Sequence, residues 1–181
     1  MVSPKIAIVG AGSSGLAAAR VFSRAGLEPI VLEKDPFVGG VWKYHENSRT
    51  RPMYRGLRTN LPKEIMQYRE FPMDSTDIPS FLTHEQVQEY LQDYQSKFDL
   101  AKYIHHGCEV SKLEVVRDTT SKVSPSTESW PQIRLEWKDL SSSATSGEET
   151  ITKMDVFDAV CVCNGHYAKP AFAKIPGFQE H

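Results

Sequence analysis

Three glycines and one acid mark out the chemistry this chain can reach. Gly10, Gly12 and Gly15 stand in the run Gly10-Ala11-Gly12-Ser13-Ser14-Gly15, directly after the apolar stretch Lys5-Ile6-Ala7-Ile8-Val9. At that spacing the first glycine permits a tight turn and the second lets the backbone approach a pair of phosphates. The third lets the following helix lie against the preceding strand. A helix opening there turns its free N–H groups and its positive dipole end toward an anion, with Ser13 or Ser14 available as its cap. This is a cradle for the pyrophosphate of a dinucleotide. Glu33 ends the next apolar run, close to the separation at which an acid binds a ribose hydroxyl pair. Its charge would repel the extra phosphate of NADP, so the cradle favours FAD or NAD.

A second glycine turn, Gly39-Gly40-Val41-Trp42, follows Glu33 closely. Paired glycines let backbone come near a ligand, and Trp42 offers a flat face beside them. The three cysteines suit neither a disulfide framework nor a zinc site. Cys161 and Cys163 share one face of a strand, too close for an ordinary bridge, and read as core thiols.

The elements that must position these groups are legible in outline. The first run reads as a strand buried on both faces, because its apolar character is continuous rather than alternating. Ala17, Ala18 and Ala19 allow a thin helix behind the cradle, and Gly26 supplies its left-handed stop. Pro29 to Leu32 is the second strand. Residues 43–80 are polar and proline-studded, which predicts a long irregular covering loop. Thr83 and Gln86 form a capping box, opening a helix whose stripe is Val87, Leu91, Tyr94 and Phe98. His84, in its first turn, is expected to face solvent or a neighbouring backbone.

From Ile104 the texture changes to short strands, expected over Gly107 to Val110, Lys112 to Arg117, Gln132 to Trp137 and Glu149 to Phe157. Serine- and threonine-rich hairpin loops, Thr119 to Ser129 and Ser141 to Glu148, separate them. Asp158 to Cys163 then returns to buried parallel character and closes in Asn164-Gly165-His166, at the strand end where open α/β sheets bind ligands. The fold class is α/β: a Rossmann-like parallel sheet with helices and an inserted antiparallel β-meander.

The chain has 181 residues, 40% hydrophobic and 24% charged, enough to bury the core of one domain. A net charge of −2 makes no electrostatic case for nucleic acid. No apolar run approaches the ~20 residues that span a bilayer. The short start before the first strand leaves no room for a signal peptide. With the cysteine usage, this places the expected compartment in the cytoplasm, and no membrane contact is indicated.

Taken together, the cradle, Glu33-Lys34, Gly39 to Trp42, Thr59-Asn60-Leu61-Pro62-Lys63-Glu64, and Phe157 through His166 resemble the amino-terminal part of the flavin-containing monooxygenase family, in the family's order and over nearly the whole chain. The resemblance implies that residues 1–181 form an FAD-binding domain. Gly10 to Gly15 would hold the pyrophosphate of FAD, and Glu33 the adenosine ribose. Gly40, Val41 and Trp42 would lie along the flavin side. Thr59, Asn60 and Leu61 would sit beside the isoalloxazine ring and the nicotinamide. Asn60 is the residue to which the resemblance gives a part in the chemistry, since an amide both donates and accepts hydrogen bonds. The implied reaction is hydride transfer from NADPH to FAD, then oxygenation of a soft nitrogen or sulfur nucleophile by O2 through a flavin C4a-hydroperoxide. His166 is expected to be structural.

Members of that family are longer, with a second glycine-rich cradle for NADPH that this chain lacks. The chain is therefore expected to be a part of a longer two-cradle enzyme, with little turnover alone. Apolar surface left open at the boundary would favour oligomers. The competing reading is a catalytically silent FAD- or nucleotide-binding module acting through a protein interface. A third, half of an NAD-dependent dehydrogenase, is weakened by the Gly39 to Trp42 and Asn60 segments.

Overall fold

A computed structural model describes residues 3–46, 52–116, 131–140, 151–167 and 175. Four strands make a parallel sheet: β1 (Ile6–Val9), β2 (Ile30–Leu32), β3 (Ile104–His105) and β7 (Ala159–Val162), in the order β3-β2-β1-β7. β1 is central, with Ala7 beside Ile30 on one side and beside Val160 on the other. The continuous apolar character of β1 follows from that position, because both of its faces are covered. Ile8, with Val31 of β2, faces a core completed by α1 (Ser13–Arg24) and α3 (His84–Lys97). Ala7 and Leu32 face a second core, shared with Leu135, Phe157 and Cys108.

That second core comes from the antiparallel sheet β4 (Cys108–Val116), β5 (Gln132–Asp139) and β6 (Ile151–Phe157), which covers the other face of the parallel sheet. The two expected segments Gly107 to Val110 and Lys112 to Arg117 are one strand. The pairing with β5 steps from Val110↔Trp137 to Lys112↔Glu136, leaving Ser111 as a bulge. A bulge breaks the side-chain alternation by one residue, which is why one strand reads as two. The hairpin loops Thr119 to Ser129 and Ser141 to Glu148 lie outside the described residues.

Helix ends follow their local sequence. α1 stops in a Schellman turn: Gly26 has φ +78°, its N–H donates to the Ser23 carbonyl, and the Leu27 N–H donates to the Phe22 carbonyl. α3 begins in the expected capping box, with the Gln86 N–H donating to Thr83 Oγ1 and the Thr83 N–H donating to Gln86 Oε1. Val87, Leu91 and Tyr94 of its stripe are buried. His84 departs from expectation: it is 3% exposed, with its ring 5.4 Å from that of Tyr44 and Nε2 3.1 Å from Glu85 Oε1. The segment around Tyr44 folds back over the first turn of α3 and covers it, a long-range contact that local sequence does not encode.

Among its described residues the covering loop contains one short helix, α2 (Lys63–Met66), which the polar, proline-rich composition conceals. Just beyond α2, Tyr68 ties the loop to the cradle helix, its hydroxyl donating to the Ser13 carbonyl at 2.6 Å. No helix among the described residues is long and apolar enough to cross a membrane.

Candidate functional site

The cradle is built by backbone approach. Gly10 has φ +97°, and its N–H donates to the Leu32 carbonyl at 2.8 Å, joining the turn to β2. A Cβ on Gly10 would stand 2.6 Å from the Cys163 carbonyl oxygen, and one on Gly15 only 1.9 Å from the Gly10 carbonyl oxygen. The first and third glycines thus let three backbone segments meet: the turn, α1 and the end of β7.

Gly12 differs. It is the N-cap of α1 in extended backbone, and a Cβ there would meet Gly40 Cα at an ordinary 3.7 Å. Its glycine identity is not required by the folded chain; it keeps space open. Neither Ser13 nor Ser14 caps α1, contrary to expectation: Gly12 is the N-cap, no side chain bonds to the helix end, and both serines are exposed. The first N–H groups of a 12-residue helix therefore point into the cleft without a side-chain partner, the condition for binding an anion.

The second glycine turn packs onto the first. The Gly39 N–H donates to the Ala11 carbonyl at 3.0 Å, and a Cβ on Gly40 would lie 3.2 Å from Gly12 Cα. Gln88 of α3 fixes this turn from below, its Nε2 donating to the Val38 carbonyl at 2.7 Å. Its Oε1 occupies the place a Cβ on Gly39 would take, 1.9 Å away. Gln88 is a site residue that the sequence reading missed. Its signal was a polar side chain beside Val87 on the buried stripe of α3, 6% exposed in the fold.

Glu33 is 5% exposed and holds the cradle together. Its Oε2 accepts from the Ala11 N–H at 2.6 Å and its Oε1 from the Asp35 N–H at 2.8 Å. Two charge-assisted bonds offset much of the cost of burying the carboxylate. Glu33 also lines the cleft, and a carboxylate that accepts two bonds retains further acceptor capacity.

These groups border a cleft of about 780 Å³. Gly10, Gly12, Ser13 and Ser14 line it with Gly40 and Val41, and so do Glu33, Lys34 and Asp35. Cys108, Glu109 and Val110 of β4 also line it, as do Asn164, Gly165 and His166 beyond β7. The β4 residues carried no sequence signal, because their arrival depends on how the second sheet packs. Ala11 and Gly15 are buried behind the lining. Trp42 packs half-buried against the main core instead of lining the cleft. Thr59 is buried, its N–H donating to the Leu82 carbonyl and its Oγ1 accepting from the Leu82 N–H. Asn60 and Leu61 are exposed, and neither is among the residues that line the cleft.

The Sγ atoms of Cys161 and Cys163 lie 3.6 Å apart, and both cysteines are free. Burial first, then the neighbouring thiol, pushes Cys163 up to about 11. Among the described residues no cluster of three His, Cys, Asp or Glu side chains is placed to hold a metal.

The parallel sheet, the glycine turn, the uncapped helix end and the buried acid just past β2 define a Rossmann-like domain. A family profile described as "FMO-like: Flavin-binding monooxygenase-like" matches residues 3–180, and the chain belongs to that family. It is 34% identical over 195 aligned positions to the flavin-containing monooxygenase FMO GS-OX5 of Arabidopsis thaliana, covering 97% of this chain and 38% of that protein. Among solved structures it resembles S-allyl-L-cysteine S-oxygenase from Allium sativum, with a TM-score of 0.75 and 29% identity over 98% of this chain and 40% of that one. It also resembles Tmm from Pelagibacter sp. strain HTCC7211, with a TM-score of 0.73 and 26% identity over 97% and 39%. The chain thus spans about two fifths of the length of these relatives.

Proposed function

We propose that residues 1–181 are the FAD-binding part of an NADPH-dependent monooxygenase that oxygenates soft nitrogen or sulfur nucleophiles. The observation that carries this reading is the cradle: an uncapped helix end and two interlocked glycine turns, with Gly12 leaving space the folded chain does not itself need. Those features fit the pyrophosphate of FAD. The first N–H groups of α1 would take the phosphates, and Glu33 would accept from the adenosine ribose. Gly40 and Val41 would border the cofactor beyond the phosphates. A relative that is an S-oxygenase supports sulfur as the nucleophile.

When bound, FAD supplies the redox and oxygen chemistry. The chain's own contribution is position and exclusion of water. Thr59, fixed to Leu82 from both its N–H and its hydroxyl, holds the following Asn60 and Leu61 in a defined place. Asn60, able to donate and accept at once, would orient the reacting groups beside the flavin ring. NADPH would be held by the part of a longer enzyme that this chain does not include.

The test begins with the purified chain and added FAD. The expected result is a stoichiometric yellow complex with quenched flavin fluorescence, and no retention of FAD by Gly12→Val. Retention by that variant would refute the cradle. In the full-length enzyme, Asn60→Ala should keep its FAD and lose oxygenated product; unchanged product would remove Asn60 from the chemistry. A silent binding module would instead bind FAD and support no NADPH-dependent oxygenation even at full length.

A further inference from the structure

Lys63 is 6% exposed, and among the described residues no carboxylate pairs with it. A buried ammonium is costly unless its hydrogens are taken up. Here Nζ donates to two main-chain carbonyls, that of Ser75 at 2.6 Å and that of Ile78 at 2.8 Å. The Lys63 N–H donates to the Ser80 carbonyl at 2.6 Å, and its carbonyl accepts from the Gln67 N–H at 2.9 Å. One residue therefore closes the returning loop at three points. An apolar side chain could fill the same space without the desolvation cost, so the charge serves geometry.

That geometry concerns the three residues before it. Thr59 is locked to Leu82 at one end of the segment, and Lys63 to Ser75, Ile78 and Ser80 at the other. Asn60, Leu61 and Pro62 lie between the two anchors, with Pro62 as the N-cap of α2. The side chains of Asn60 and Leu61 are exposed, so packing does not fix them and the anchors must. Glu64 and Gln67 add lighter ties, accepting from Ser80 Oγ at 3.1 Å and from the Met73 N–H at 2.7 Å.

We infer that Lys63 is a positioning residue: its buried ammonium, bonded to the Ser75 and Ile78 carbonyls, sets the geometry in which Asn60 and Leu61 are presented. Its bearing on chemistry rests on the proposed function, in which this segment borders the flavin; the bracket itself does not.

The test compares Lys63→Met, which keeps the stem and loses the charge, with Lys63→Arg, which keeps a donor cation. Lys63→Gln, a neutral donor, serves if the methionine variant does not fold. Two readouts are taken on the 181-residue chain: amide hydrogen exchange without FAD, and visible circular dichroism with FAD bound. For Lys63→Met, exchange should quicken about tenfold or more at residues 59–63 and 75–82 while α1 and β1 keep their protection. FAD should still bind, with an altered dichroic band, and Lys63→Arg should restore part of both signals. Wild-type protection at 59–63 would overturn the inference, and so would an equal loss across α1 and β1, which would reduce Lys63 to general stability. Quickened local exchange with an unchanged flavin band would uphold the bracket and refute the placement of Asn60 beside the flavin.

Discussion

Replacing Gly15 and Gly12 by alanine in turn should separate folding from binding. At Gly15 the new Cβ would lie 1.9 Å from the Gly10 carbonyl oxygen, against the 3.4 Å at which ordinary contact begins, so the turn must open by about 1.5 Å. Overpacking costs typically about 1–3 kcal/mol, and a clash with backbone belongs at the upper end. Alanine regains about 1 kcal/mol of helix propensity inside α1. The net loss is about 2 kcal/mol, a fall in Tm of about 4–8 °C for a chain of this size. At Gly12 the Cβ meets only Gly40 Cα at 3.7 Å, in extended backbone that any residue adopts. Exchanging glycine for alanine at an N-cap costs about 0.5 kcal/mol, hence about 1–2 °C. On the proposed reading the methyl group nevertheless stands where the phosphates would approach, and FAD affinity should drop by about tenfold or more, about 1.4 kcal/mol. Thermal unfolding by circular dichroism reads the first quantity, and flavin fluorescence titration the second. A Gly15→Ala protein as stable as wild type would refute the packing argument. A Gly12→Ala protein that binds FAD as tightly as wild type would refute the phosphate site.

Other expectations concern single contacts. Thr83→Ala removes the side-chain cap of α3 and should lower stability by about 1 kcal/mol, seen as a Tm about 2–4 °C lower. Gln88→Leu leaves the buried Val38 carbonyl without its donor, at a cost of about 1–3 kcal/mol. Because Gln88 also supports the Gly39 turn, FAD affinity should weaken with it; loss of stability at full affinity would disconnect Gln88 from the site. The raised Cys163 thiol makes stability depend on pH in the alkaline range. Below the ordinary thiol value of 9.0 both states keep the proton; between that value and about 11 the unfolded chain releases it and the folded chain does not. Folding therefore takes up protons there, and stability falls as pH rises. The Tm advantage of wild type over Cys163→Ala should shrink from about pH 8 to about pH 10.5, and a constant difference would show that Cys163 ionises alike in both states.

Much of the site was legible because its signals are local. The strand-turn-helix of residues 5–24, the stop at Gly26 and the capping box at Thr83 each depend on backbone dihedrals and hydrogen bonds within a few residues. They appear in the structure in place, as does the antiparallel sheet inserted before β7. Even the miss at Ser13 and Ser14 is local, since a glycine N-cap leaves the helix end open where a serine would have closed it.

What the sequence by itself determined is the cradle: glycine positions, helix and acid, all from short-range sterics. Only the tertiary structure decided which surfaces meet it. The Gly39 turn is locked onto Ala11 by Gln88 from a distant helix, the β4 residues Cys108 to Val110 wall the cleft, and the Trp42 ring turns inward to the core. Lys63 was visible only as one member of a motif; its burial became apparent when the chain returned to offer it the carbonyls of Ser75 and Ile78. Short-range terms set dihedrals. Packing, which acts between residues far apart in the chain, decides which polar groups are buried and what they must bond.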